Sequence, residues 1–174
     1  MQCLGSDQIT NERAAGFFDG EGIARIEGVR GSVMLRIKLA KKHDSHGEWY
    51  LEHFQSRWGG KLYPEKRRRP NPLHNPASMW SLREAAKVLI CLEDLSPLYI
   101  KSEAARLCRE MARMLAAPRH RIGPEEEAKR RELYLACKAV NLRGRGAQRS
   151  EELIDVSYRT PARGGAKLTP VESK

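Results

Sequence analysis

From Val33 to Lys41 the chain alternates without a break: Val33, Leu35, Ile37 and Leu39 fall on one side of an extended strand, Met34, Arg36, Lys38 and Ala40 on the other. Only a period of two sorts residues in this way, so the segment is a β-strand with one apolar face to bury and one basic face left open. Such a strand does not suit a sheet covered on both sides. It asks for an antiparallel sheet with helices packed on a single face.

The flanking segments fit that demand. Thr10 is an N-cap candidate ahead of helix-compatible residues, so a helix starts near Asn11 and ends between Gly20 and Gly22. Ile23 to Val29 reads as a short strand, with Ala24 and Ile26 inward and Arg25 and Glu27 outward, and Arg30-Gly31-Ser32 as the turn into the alternating strand. Glu48 to Trp58 puts Leu51, Phe54 and Trp58 at helical spacing, with Gly59-Gly60 as its stop. Lys61-Leu62-Tyr63 and Ala77 to Leu82 form a second hairpin, joined by Lys66-Arg67-Arg68-Arg69-Pro70-Asn71-Pro72, too charged and Pro-rich for a strand interior. Arg83 to Leu95 is a helix with Ala86, Leu89, Ile90 and Leu92 on its apolar face, and Ser96-Pro97 opens another that runs to about Ala116 with Pro in its first turn. A last helix spans Pro124 to about Val140, and from Arg143 onward no period is sustained, so a disordered basic tail is expected. The order is helix, two strands, helix, two strands, then helices, an α+β arrangement. Residues 1–117 form the main domain, 118–142 an additional C-terminal helix and 143–174 the tail.

With 174 residues one core is expected, and a net charge of +10 favours a polyanionic partner, nucleic acid first. No apolar run approaches the roughly 20 residues of a membrane helix, and the N-terminus lacks a signal layout. The expectation is therefore no membrane partner and a location inside a cell, in the cytoplasm or nucleoid, or in an organelle. Cys3, Cys91, Cys108 and Cys137 lack CxxC spacing and read as reduced core thiols. His43-Asp44-Ser45-His46 reads as a polar turn rather than a metal cluster.

Within the first helix, Ala14-Ala15-Gly16-Phe17-Phe18-Asp19-Gly20-Glu21-Gly22 carries small residues, two phenylalanines and an acidic end. Gly16 and Gly20 are four apart on one face, which lets two helix backbones approach closely. This segment resembles the signature of the LAGLIDADG homing endonucleases, and the αββαββα order, with its antiparallel saddle-shaped sheet, is the fold that the resemblance implies. The likeness extends over roughly Thr10 to Ala116. Ala14 stands where the family usually has leucine, and the first strand is one residue short. A single copy of the motif implies a two-fold homodimer with an isologous interface at Ala15, Gly16, Asp19 and Gly20. The resemblance implies Glu21 as catalytic metal ligand, with Gly20 beside it in the metal site and Mg²⁺ as cofactor, Ca²⁺ or Mn²⁺ substituting in binding. Hard cations take such oxygen ligands and complete their shells with phosphate and water. Asp19, by contrast, is expected to support the helix ends or the interface. The resemblance further implies two pocket lysines: Lys101, near the start of the helix after the fourth strand, and Lys41, closing the second strand, with Lys42 its rival if the strand contains a bulge.

The open strand face gives the expected DNA contacts: Arg25, Glu27, Met34, Arg36, Lys38, Ala40 and Lys42 from the first hairpin, and Lys61, Tyr63 and Ser81 from the second. Arg67 and Arg68 are expected to clamp phosphates at the edge of the footprint. The expected function is thus a site-specific, intron-encoded double-strand DNA endonuclease hydrolysing a long pseudo-palindromic site. The alternatives are an RNA maturase, with intron RNA as partner, or a silent DNA-binding protein on the same fold.

Overall fold

The computed structural model describes residues 9–29, 32–42, 45–64, 77–117 and 122–142. Its elements are α1 (Asn11–Glu21), β1 (Gly22–Val29), β2 (Ser32–Lys42), α2 (Ser45–Trp58), β3 (Lys61–Pro64), β4 (Ala77–Leu82), α3 (Ala85–Asp94), α4 (Ser102–Ala116) and α5 (Pro124–Leu142). Thr10 caps α1 as expected, its hydroxyl accepting from the Arg13 N–H at 3.3 Å. Cys3, the polar turn at His43 and Asp44, the basic loop with Arg67, Arg68 and Arg69, and the tail from Arg143 lie outside the described residues.

The four strands pair antiparallel in the order β1-β2-β4-β3. Each hairpin contributes its inner strand to the middle of the sheet, which is how the two join. The faces divide as the alternation requires: Ala24, Ile26, Leu35, Ile37, Leu39, Trp80 and Leu82 are buried beneath the helices. Arg25, Glu27, Met34, Arg36, Lys38 and Ala40 keep partial exposure on the other side. Phe54 of α2 sits at the centre of the buried side, its ring 4.8 Å from Trp58, 5.2 Å from Trp80 and 6.4 Å from Phe18. Burying each such side chain is worth about 1.5–3 kcal/mol. The indole donors also find partners, Trp80 Nε1 at the Gly59 carbonyl (2.8 Å) and Trp58 Nε1 at the Asp94 carboxylate (2.9 Å). Gly59 and Gly60 end α2 at φ of 75° and 93°. Among the described residues no helix is long and apolar enough to cross a membrane.

The helices after the sheet depart from expectation in two places. The buried face of α3 is Val88, Cys91 and Leu92, continued by Leu95 just past its end, whereas Ala86 is exposed and Ile90 is 55% exposed. Positions 88, 91, 92 and 95 follow the i, i+3, i+4, i+7 stripe, and that stripe rather than its neighbour meets the core. Nor does Ser96-Pro97 open a helix. That peptide is cis, the chain stays non-helical through Lys101, and α4 begins only at Ser102. The N–H groups of Tyr99, Ile100 and Lys101 turn instead to the side chain of Asp19.

α5 is two residues longer than its periodicity suggested and lies across α4 and the outer edge of β1, where Leu133, Tyr134 and Cys137 are buried. Its Asn141 donates to the Ala24 carbonyl at 3.2 Å, satisfying an acceptor of the edge strand. Cys91, Cys108 and Cys137 are free and buried, in keeping with reduced core thiols.

Candidate nucleic-acid interface and acidic centre

The nine-residue motif divides by helical position. Ala14, Ala15, Phe18 and Asp19 are buried. Gly16 and Gly20 are exposed, and a methyl group on either would meet nothing within 4 Å among the described residues. Gly22 is the opposite case. A methyl there would run into the Phe18 carbonyl oxygen and come within 2.5 Å of its ring. The chain passes from α1 straight into β1 at Gly22, over the Phe18 side chain that anchors the helix, so only hydrogen fits. Gly22→Ala is expected to cost about 1–3 kcal/mol through overpacking, read as a lowered thermal midpoint.

Asp19 is held entirely within the chain. Its Oδ2 accepts from the Tyr99 and Ile100 N–H groups at 3.0 and 2.9 Å, and its Oδ1 from the Lys101 N–H at 2.7 Å. Burial pushes its carboxyl pKa up. The three backbone donors and the nearby Lys101 charge outweigh that and leave it below the usual value. Asp19 thereby fastens α1 to the segment leading into α4. Of the four interface candidates, Ala15 and Asp19 are each 7% exposed within one chain. Gly16 and Gly20 are therefore the open positions. The segment that Asp19 holds carries two exposed apolar side chains, Tyr99 (81%) and Ile100 (74%).

Glu21 ends α1 with its side chain half exposed, and Lys41 Nζ lies 3.0 Å from its Oε1. The strand register that buries Ile37 and Leu39 sends Lys41 to the same side, where its ammonium also rests 5.3 Å from the centre of the Phe17 ring. Phe17 in turn stacks on Tyr50 at 3.9 Å. Lys41 and Glu21 are thus brought together from positions 20 residues apart. Lys101 is not joined to Glu21 among the described contacts. It belongs to the Asp19 cluster, through its backbone and its charge. No group of three or more His, Cys, Asp and Glu that could hold a metal occurs among the described residues. A cation at Glu21, with the Gly20 carbonyl beside it, would need further oxygen ligands from outside a single chain.

On the open sheet face, Arg25, Glu27, Met34, Arg36, Lys38, Ala40 and Tyr63 are partly exposed and Lys61 is exposed. The side chain of Lys42 lies outside the described residues. Ser81 does not serve as an exposed contact: it is 5% exposed, and its hydroxyl is buried without a partner. It sits in mid-sheet, directly opposite Lys38 on β2 and Lys61 on β3. One feature had no signal in the alternation alone. Glu27 forms ion pairs with both Arg25 and Arg36.

No protein-family model matches the chain, and no curated protein matches it in sequence. Solved structures match it in fold. The homing endonuclease I-CvuI, in complex with its target in the presence of Ca, aligns at a TM-score of 0.58 and 20% identity, over 84% of this chain and 90% of that one. The archaeal intron-encoded homing endonuclease I-Vdi141I, complexed with DNA, aligns at 0.61 and 16%, over 84% and 95%. The LAGLIDADG homing endonuclease I-GzeII, in complex with a DNA target, aligns at 0.60 and 14%, over 95% of this chain but 55% of that one. The chain has the fold of the LAGLIDADG homing endonucleases, and the α+β order and antiparallel sheet read from its sequence are that fold.

Proposed function

We propose that this chain is one subunit of a homodimeric, divalent-metal-dependent endonuclease that cuts both strands of DNA at a pseudo-palindromic site, acting inside a cell or organelle. The observation that carries the reading is the position of Glu21. It projects from the end of α1 with Lys41 at 3.0 Å. The glycine face of the same helix is open, and the sheet that begins at Gly22 presents a basic face. Fold relatives of this kind were solved with DNA bound, I-CvuI in Ca or Mg.

The chemistry follows from those groups. Packing of Gly16 and Gly20 against their copies brings two Glu21 carboxylates to the two-fold axis, over the centre of a duplex lying along both sheets. Glu21 and the Gly20 carbonyl from each subunit are the residues that would hold Mg²⁺, which supplies a lowered pKa for the attacking water and charge stabilisation for the leaving oxygen. Lys41 orients the Glu21 carboxylate and adds positive charge where a phosphate gathers negative charge. Lys101 keeps the Asp19 joint closed. Residues 143–174, with Arg143 and Arg145, supply further nonspecific attraction. Gene context in a mobile intron would fit this activity.

The test is selection of a bound site from randomised duplex DNA in Ca²⁺, followed by addition of Mg²⁺. Cutting of both strands within the selected site is the expected outcome. Stable binding with no cutting would favour the maturase or silent DNA-binding alternative. The dimer has its own test. Gly16 is exposed and a Cβ added there meets nothing within 4 Å among the described residues, so a leucine can point outward without disturbing the fold, yet it obstructs the helix approach twice by symmetry. At about 1–3 kcal/mol per copy, Gly16→Leu is expected to weaken the dimer at least roughly 30-fold in sedimentation. A wild-type chain that is monomeric at micromolar concentration rules out the shared centre.

A further inference from the structure

The open sheet face carries a carboxylate among its cations. Arg25 and Glu27 share a face of β1, and across the ladder Arg25 stands directly opposite Arg36. Two guanidiniums opposed on one face repel each other. Both are nonetheless drawn to one atom: Glu27 Oε1 pairs with Arg25 Nη2 and, at 3.3 Å, with Arg36 Nη1. The side chains of Arg36 and Glu27 are each 19% exposed. The cluster is thus better shielded than the surface ion pairs that contribute nothing measurable.

The carboxylate restrains the arginines without exhausting them. A guanidinium has five N–H donors, whereas one oxygen serves both residues here, through Arg25 Nη2 and Arg36 Nη1. The Nε groups are buried, so the donors left for a ligand are the remaining N–H groups of the two Nη ends, forks whose positions are set before any ligand arrives. The matching ligand edge has two acceptors in one plane, which in a duplex groove is the O6 and N7 edge of guanine.

We propose that Glu27 is a specificity-determining positioning residue that holds Arg25 and Arg36 as a preset pair of forks for reading neighbouring base pairs. This rests on the open face being a DNA-binding surface. With Glu27 in place, little side-chain freedom is lost when the forks meet guanine, and its own negative charge penalises alignments that bring phosphate into the cluster. Without it, both arginines become long flexible cations that can reach phosphates on any sequence, so overall affinity rises while discrimination falls.

Site selection from randomised duplex DNA with the full chain tests this, comparing wild type with Glu27→Gln and Glu27→Asp. Glutamine removes the charge at constant shape, and aspartate keeps the charge but shortens the reach. Wild type is expected to recover a motif with guanine favoured at positions over the cluster. Glu27→Gln should bind unselected duplex roughly 2- to 10-fold more tightly and lose about tenfold in base preference at those positions only. Glu27→Asp should lose the same preference without the gain in nonspecific binding, an outcome that neither a purely electrostatic nor a purely structural role gives. Equal base preference in wild type and both variants, with a motif recovered, overturns the role of Glu27 while leaving the DNA-binding reading intact. A wild type that enriches no motif overturns both.

Discussion

Glu21→Gln is expected to lower the rate of strand cleavage by on the order of a thousandfold or more while leaving DNA binding in Ca²⁺ within a few-fold of wild type. The size follows from what the carboxylate is asked to do. A ligand that fixes a divalent cation against a phosphate supports several kcal/mol of transition-state charge stabilisation, and each 1.4 kcal/mol is about tenfold in rate. Glutamine keeps the length and one oxygen but removes the charge. The fold does not depend on that charge. The Glu21 side chain is half exposed and pairs with Lys41, an exposed pair of the kind worth about 0–1 kcal/mol. Binding should survive because the strand face and the glycine face are untouched. The decisive comparison is single-turnover cleavage in Mg²⁺ against binding in Ca²⁺ on the same duplex. Cleavage at the wild-type rate removes Glu21 from the centre, whatever happens to the fold.

The sequence was most informative where one residue's neighbours in the chain decide its environment. Alternation over Val33 to Leu39 placed the buried and open faces of β2 because the period of a strand is local, and Thr10 and Gly59-Gly60 marked helix ends for the same reason. It was least informative where a partner far along the chain decides. Pro97 satisfied the local rule for a first helical turn, yet the N–H groups after it go to Asp19, some 80 residues earlier, so the helix starts at Ser102. Ser81 alternated outward correctly but is buried in mid-sheet, between neighbours Lys38 and Lys61 that only the order β2-β4-β3 brings to its sides. The Arg25–Glu27–Arg36 cluster needed the β1–β2 register, which sets Arg25 opposite Arg36 and is not fixed by periodicity. Within the motif, the spacing of Gly16 and Gly20 revealed a common face, whereas the role of Gly22 depends on the Phe18 ring lying against the chain as it leaves the helix.

Asp19 gives the second large effect, and it separates architecture from chemistry inside a single motif. Asp19→Ala removes the acceptor for three backbone N–H groups at once. With hydrogen bonds to a charged group worth about 1.5–3 kcal/mol each and not fully additive, a loss of about 3–5 kcal/mol is expected. Asp19→Asn is the sharper variant. Whichever way its amide turns, an NH₂ group faces an N–H that a carboxylate oxygen had accepted. The pH dependence fixes the cause. The folded carboxyl titrates below its unfolded value because the backbone donors and Lys101 favour the anion over the cost of burial. The stabilisation is therefore complete above the ordinary carboxylate pKa of about 3.9 and is lost as pH falls through the depressed folded value. Protonated Asp19 then resembles asparagine. Unfolding by denaturant should show a wide gap between wild type and Asp19→Asn at pH 7 that narrows steadily below about pH 4. A gap of constant width from pH 7 to pH 3 would mean that the carboxylate does not hold the joint between α1 and α4. Loss of cleavage in Asp19→Asn at undiminished stability would place Asp19 with Glu21 in the chemistry instead.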